Sequence, residues 1–147
     1  MSEHLTEPSL EKGLSRTVQS LAARAYKDAS EIKDIPAQDI YHSGVCEIVS
    51  ETMARELTAL YGENVHLMRF DRLGIGLHQF IRIALGNELW IIDPTWQQFL
   101  PDADFVKPKV LLVPQQALER TLANNGISEA VRMLWLQATE VQIPKEL

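Results

Sequence analysis

The run His78-Gln-Phe-Ile-Arg-Ile-Ala-Leu-Gly-Asn-Glu-Leu-Trp-Ile-Ile-Asp93 decides the fold of this chain. Its first six residues alternate in polarity, and Glu88 to Asp93 is a short run rich in β-forming residues, so each half carries the pattern of a strand. Gly86-Asn87 between them is a two-residue hairpin signal, which makes the two strands antiparallel neighbours. Closing the turn there sets Leu85 opposite Glu88 and Phe80 opposite Asp93. His78 shares a face with Phe80, so it becomes a diagonal neighbour of Asp93, about 7–8 Å away at the backbone and within side-chain reach.

Outward from this hairpin, Val65-His-Leu-Met-Arg-Phe70 alternates in the same way and adds a third strand. Before it, Val45, Ile48, Val49, Thr52, Met53, Leu57, Leu60 and Tyr61 keep the i, i+3, i+4, i+7 spacing of an amphipathic helix, and Gly62 supplies its stop. Ser43 is the expected N-cap, which puts Cys46 in the first turn, where unpaired N–H groups and the helix dipole favour an anion such as a thiolate. An earlier helix is carried by Leu10, Leu14, Val18, Leu21, Ala22 and Ala25 and fades in the charged stretch Lys27 to Asp34. Downstream, Pro94 to Pro108 has the composition of an ordered loop. Val110 to Val113 is extended, and two helices are expected near Gln115 to Asn124 and Ile127 to Thr139. The expected class is α+β: a helix carrying the cysteine, packed on an antiparallel sheet carrying the histidine and the aspartate.

A length of 147 residues matches one domain, so 1–147 is taken as a single unit. With 46% apolar and 23% charged residues the composition is that of a globular chain with a core of its own. Fourteen Lys and Arg against twenty Asp and Glu give a net charge of −6, and no basic run stands ready to neutralise phosphates. Neither nucleic acid nor an anionic membrane surface is therefore an expected partner. Apolar stretches such as Val110 to Val113 are too short to cross a bilayer, and Met1 to Pro8 lacks the pattern of a signal peptide, so a cytoplasmic protein is expected, with secretion by a route without a cleaved signal as the open alternative. The single cysteine, Cys46, rules out an internal disulfide and leaves three roles: buried filler, metal ligand or reactive thiol.

The chemistry lies in order and context together: a Cys opening a helix, a His beginning a strand, and an Asp ending the next strand of one hairpin. An imidazole held by Asp93 through one ring nitrogen offers the other to a thiol, the arrangement of a base oriented by a third group. Gly44-Val-Cys46 at a helix start, Gly76-Leu-His78-Gln-Phe80 on a strand and Glu88-Leu-Trp-Ile-Ile-Asp-Pro-Thr95 closing a hairpin resemble the transglutaminase-like branch of the papain-like cysteine enzymes. The resemblance spans about Ser43 to Phe99. It implies a papain-like or transglutaminase-like core with Cys46 as nucleophile, His78 as general base and Asp93 as orienting acid. It also implies an acyl-enzyme on Cys46 with no cofactor, and a protein, peptide or acyl-thioester substrate. Two departures stand out: Gln79 follows the histidine where family members often carry an aromatic residue, and no Gln stands a few residues before the cysteine to serve the oxyanion.

Hydrolysis of an amide, by a cysteine peptidase or a protein-glutamine deamidase, is the first expectation, since no further domain for a second substrate is visible. An acyltransferase or cyclase using the same triad is the alternative, and a module that kept the fold without activity is the non-enzymatic rival. The competing chemical arrangement, a zinc site from Cys46, His66, His78 and Asp93, lacks any paired Cys or His spacing. Around the triad, the stretch Trp96-Gln-Gln98 on the following loop, with Trp96 and Gln97 foremost, and Tyr41 and His42 just before Cys46, are the expected substrate contacts. Trp90, whose parity is opposite to that of Asp93, is assigned to the core.

Overall fold

The computed structural model describes residues 7–33, 46–72, 76–100 and 109–145. Helices α1 (Glu7–Lys33) and α2 (Cys46–Tyr61) come first, then strands β1 (Val65–Asp71), β2 (Leu77–Leu85) and β3 (Glu88–Asp93). A 3-10 turn at Trp96–Phe99 follows. The chain then continues through strand β4 (Leu111–Pro114), helices α3 (Leu118–Asn124) and α4 (Glu129–Leu136), and strand β5 (Thr139–Val141). The sheet is antiparallel, with strand order β4-β3-β2-β1-β5. The hairpin closes as its turn residues dictate: Leu85 pairs with Glu88 and Ile81 with Ile92, and Gly86 takes a φ of 60°, a left-handed conformation that glycine adopts without strain. Both edge strands are short, and Pro114, which has no N–H for a ladder, sits on one of them.

Alternation along the strands divides the core in two. On one face Val65, Leu67, Ile81, Ile83, Trp90 and Ile92 pack with Val49, Met53, Ala54 and Leu57 of α2, and the stripe Leu14, Val18, Leu21, Ala25 and Ala29 of α1 closes over them. On the other face Met68, Phe70, Phe80, Ile91 and Leu111 pack with Leu118 and Leu122 of α3 and Trp135 of α4. Trp90 thus lies in the α1/α2 core, as its parity requires.

Helix α1 extends well past the point at which its apolar pattern fades. Ala29 is fully buried and carries the stripe one turn beyond Ala25, while Lys27, Asp28 and Glu31 face solvent on the opposite side. At the C-terminal end the single helix expected over Ile127 to Thr139 is replaced by a shorter helix and a strand. Ser128 caps α4, its hydroxyl accepting from the Val131 N–H at 3.4 Å, and the helix stops at Leu136. Thr139–Val141 then pairs with Leu67 to Arg69 of β1. A three-residue strand is too short to show a period of its own, and the ladder with β1 decides its conformation. Among the described residues, no helix is long and apolar enough to cross a membrane.

Leu57 is fully buried between α2 and the sheet. Leu57→Ala should lower the unfolding free energy by about 2–5 kcal/mol through lost transfer energy and the cavity left behind. Urea denaturation of the two proteins would measure this; a loss below about 1 kcal/mol would contradict the packing described.

Candidate active site

His78 is the second residue of β2 and Asp93 the last of β3, and both side chains point to the α3/α4 face, in line with Phe80 and Ile91. They meet at 2.6 Å, Nε2 of the imidazole to Oδ2 of the carboxylate, with the side chains 1% and 0% exposed. A carboxylate taken fully out of water needs its lone pairs filled. Oδ2 also accepts from the indole N–H of Trp135 at 2.9 Å, and Oδ1 accepts from the Thr95 N–H at 3.0 Å and from its hydroxyl at 3.5 Å. Three separate segments therefore supply donors to one buried acid. Phe70, Phe99 and Trp135 surround the imidazole with ring centroids 4.9, 4.9 and 5.7 Å away, a dry wall that strengthens the polar contacts inside it.

The remaining ring nitrogen, Nδ1, faces Nε2 of Gln98 at 3.2 Å. Two contacts fix which end of that amide is which. Arg72, which can only donate, reaches the Gln98 oxygen at 2.8 Å, and the Thr95 carbonyl, which can only accept, takes the amide N–H at 2.9 Å. The second amide hydrogen therefore points at Nδ1, which must be the acceptor. His78 is then the neutral tautomer with its proton on Nε2, donated to Asp93, and with the lone pair on Nδ1 available to a proton donor. The Arg72 guanidinium also lies over the Phe99 ring, 4.9 Å from its centroid, so the clamp on Gln98 is itself held.

Cys46 is the first residue of α2; its side chain lies outside the described residues. The helix is anchored beside His78. Ser50, one turn on, donates its hydroxyl to the Gln79 carbonyl at 2.9 Å. The buried Gln79 side chain, with its oxygen turned to Arg69, accepts from that guanidinium at 2.8 and 3.1 Å and donates to Glu51 of α2 at 3.2 Å. The far end of α2 leads through a 3-10 turn at Gly62–Asn64 into Val65, which pairs with Ile83 at the other end of β2. The helix consequently runs along β2, and Cys46 heads it about 6 Å beyond Ser50, toward the end of the strand where His78 sits. Helix α2 packs on the sheet face opposite the imidazole. Glu47 stands in the same corner: burial, then the charge of Glu51, pushes its carboxyl above the ordinary value, while the charge of Arg69 pulls it back.

Of the residues singled out in the sequence, His78 and Asp93 are brought together. Tyr41 and His42 lie outside the described residues. Trp96 and Gln97 are buried rather than exposed on a loop: the indole donates to the Lys109 carbonyl at 3.2 Å, and the Gln97 oxygen accepts from the Lys109 N–H at 2.7 Å. This corrects their expected place at the surface, because the turn after Asp93 folds inward and both side chains staple it to the chain leading into β4. His66 faces Glu140 of β5 at 2.8 Å, and it stands four residues along β1 from Phe70, the strand partner of His78. Two neighbours of the pair were not foreseen, Arg72 and Trp135, whereas Gln98 belongs to the stretch Trp96-Gln-Gln98 from which contacts to the site were expected, and it reaches the imidazole. Arg72 and Trp135 gave no local signal, because only the closing of the β1–β2 connection and the docking of α4 bring them in.

Comparison of the chain with protein-family models, with curated proteins and with solved structures finds no match.

Trp135→Phe keeps a ring against His78 but removes the indole N–H from the buried carboxylate. It should cost about 1–3 kcal/mol of stability by urea denaturation, whereas an unchanged midpoint would mean that Asp93 does not depend on this donor. For Glu47 the sign follows from its raised pKa: the folded state holds this proton more tightly than the unfolded chain, so stability is lost as pH rises through the folded value. Glu47→Gln should therefore melt at a higher temperature than the parent at pH 7. The gap should close as pH falls to the ordinary carboxyl range. A constant gap across pH would rule out ionisation as its cause.

Proposed function

We propose that the protein is a thiol-dependent amide hydrolase that forms an acyl-enzyme on Cys46, with His78 as base and Asp93 as its orienting partner, on a core of the papain-like or transglutaminase-like kind. The observation that carries this is the buried His78–Asp93 bond at 2.6 Å, with Nδ1 left as the proton-accepting atom. A histidine whose far nitrogen is locked to a four-donor carboxylate is held in one tautomer and one orientation, the preparation a general base needs. Support for Cys46 as its partner comes from the anchoring of α2 at Gln79, which sets the head of the helix at the end of β2 that carries His78. Because helix and imidazole occupy opposite faces, the reading requires thiol and Nδ1 to meet around the end of β2 at which Leu77 is exposed.

In this scheme Nδ1 takes the thiol proton, the thiolate attacks the carbonyl carbon, and the tetrahedral intermediate collapses as the imidazolium protonates the leaving nitrogen. Water, deprotonated by the same Nδ1, then releases the acid and restores the thiol. Asp93 stays ionised throughout and stabilises the imidazolium across the Nε2 bond.

Iodoacetamide should alkylate native Cys46 at pH 6 faster than it does the same protein in denaturant. His78→Ala should remove most of that advantage and His66→Ala none. A native thiol that reacts no faster than the denatured one would overturn the proposal. Asp93→Asn should slow the reaction on the order of 10- to 1,000-fold, about 1.4–4 kcal/mol. As an Asp before Pro94, a residue suited to turns, this position would be expected to take Asn with little effect on folding. Its four donors change that expectation, since an amide NH2 must meet one of them, and Asp93→Asn should also lower the melting temperature.

A further inference from the structure

Resting on the hydrolase reading, we infer that Gln98 and Arg72 form a latch that keeps the proton-accepting atom of His78 covered, so that the site works only after the Gln98 amide has swung away. The lone pair on Nδ1 is occupied by the amide N–H of Gln98 at 3.2 Å. While that bond stands, Nδ1 takes no proton from a thiol or from water. The imidazolium, which the scheme above forms in each half of the reaction, is excluded more firmly still. It carries a hydrogen on both ring nitrogens, and Nδ1–H would then face the amide N–H, donor against donor.

Turning the amide over in place gives no relief. Its oxygen would then suit an imidazolium, but that oxygen would also meet the Thr95 carbonyl, and the NH2 group would meet the Arg72 guanidinium. As the groups stand, Arg72 donates to the amide oxygen at 2.8 Å and the Thr95 carbonyl accepts from the amide nitrogen at 2.9 Å. The side chain therefore has to leave as a whole. Gln98 is half-buried, on the short turn Trp96–Phe99, so it can swing out without unpacking the core. The hook stays behind: the Arg72 backbone N–H donates to the Gly76 carbonyl at 2.7 Å, and the guanidinium lies over the Phe99 ring at 4.9 Å. The Nε2 bond to Asp93 takes no part in the latch, so release frees Nδ1 while the imidazole keeps its orientation.

Diethyl pyrocarbonate, which acylates an imidazole at a free lone pair, tests the cover without reference to Cys46. Peptide mass spectrometry of the full chain should find His78 modified about tenfold more slowly in the parent than in Gln98→Ala, if the latch is shut about nine-tenths of the time. Arg72→Met keeps the Gln98 side chain and removes only its hook, and it should speed the modification of His78 as well. Equal rates in the parent and both variants overturn the inference. So does loss of cooperative melting in both variants, which would mark the two residues as a structural clamp. The iodoacetamide reaction at pH 6 then separates the latch from the reading it rests on, since alkylation of Cys46 should rise in step with the uncovering of His78. A faster His78 with no gain at Cys46 upholds the cover and overturns the pairing of thiol and imidazole instead.

Discussion

A carboxylate with no exposure to solvent is the constraint around which this protein is arranged. Its lone pairs are filled inside the sheet because β2, the turn after β3 and helix α4 each aim a donor at Asp93. Each donor group has a second task. The imidazole belongs to the aromatic cluster, the Thr95 carbonyl holds Gln98, and the indole packs edge-on against Phe70, His78 and Phe99. Removing the carboxylate would therefore loosen three elements together, whereas removing any one donor leaves the others in place.

Strand β2 links this acid to the cysteine helix through two consecutive residues. His78 faces the α3/α4 side and holds Asp93; Gln79 faces the α1/α2 side and holds Glu51 and Arg69. With a side-chain period of two, neighbours on a strand serve opposite faces, so one short stretch of backbone fixes both the imidazole and the head of α2. Gln79, which departs from the aromatic residue usual in the resembling family, has its use here: a ring could not bridge a carboxylate and a guanidinium.

The hairpin and its register were legible because a Gly-Asn turn and period-two alternation are local signals, and they brought His78 to Asp93 on parity alone. The long cysteine helix was legible for the same reason. Strand β5 was not, since three residues, Thr139–Val141, carry no pattern and take their conformation from β1. The turn after Asp93 was legible as a source of side chains for the site, but which of its residues supplies them was not. Trp96 and Gln97 fold inward onto Lys109, and it is Gln98 that reaches the histidine, a distinction set by the direction of a 3-10 turn that composition does not reveal. Trp135 lies 42 residues from Asp93 in sequence, and a hydrogen bond of that span leaves no trace in local pattern.

That span bears on how the protein comes into being. The hairpin presenting His78 and Asp93 is closed by local contacts, whereas the indole that completes the acid comes from α4, 42 residues beyond Asp93. Until α4 docks, the imidazole lacks the ring that walls it from water. The distant contact thus completes the buried acid, and a chain in which α4 has not yet docked holds His78 and Asp93 together with the carboxylate one donor short.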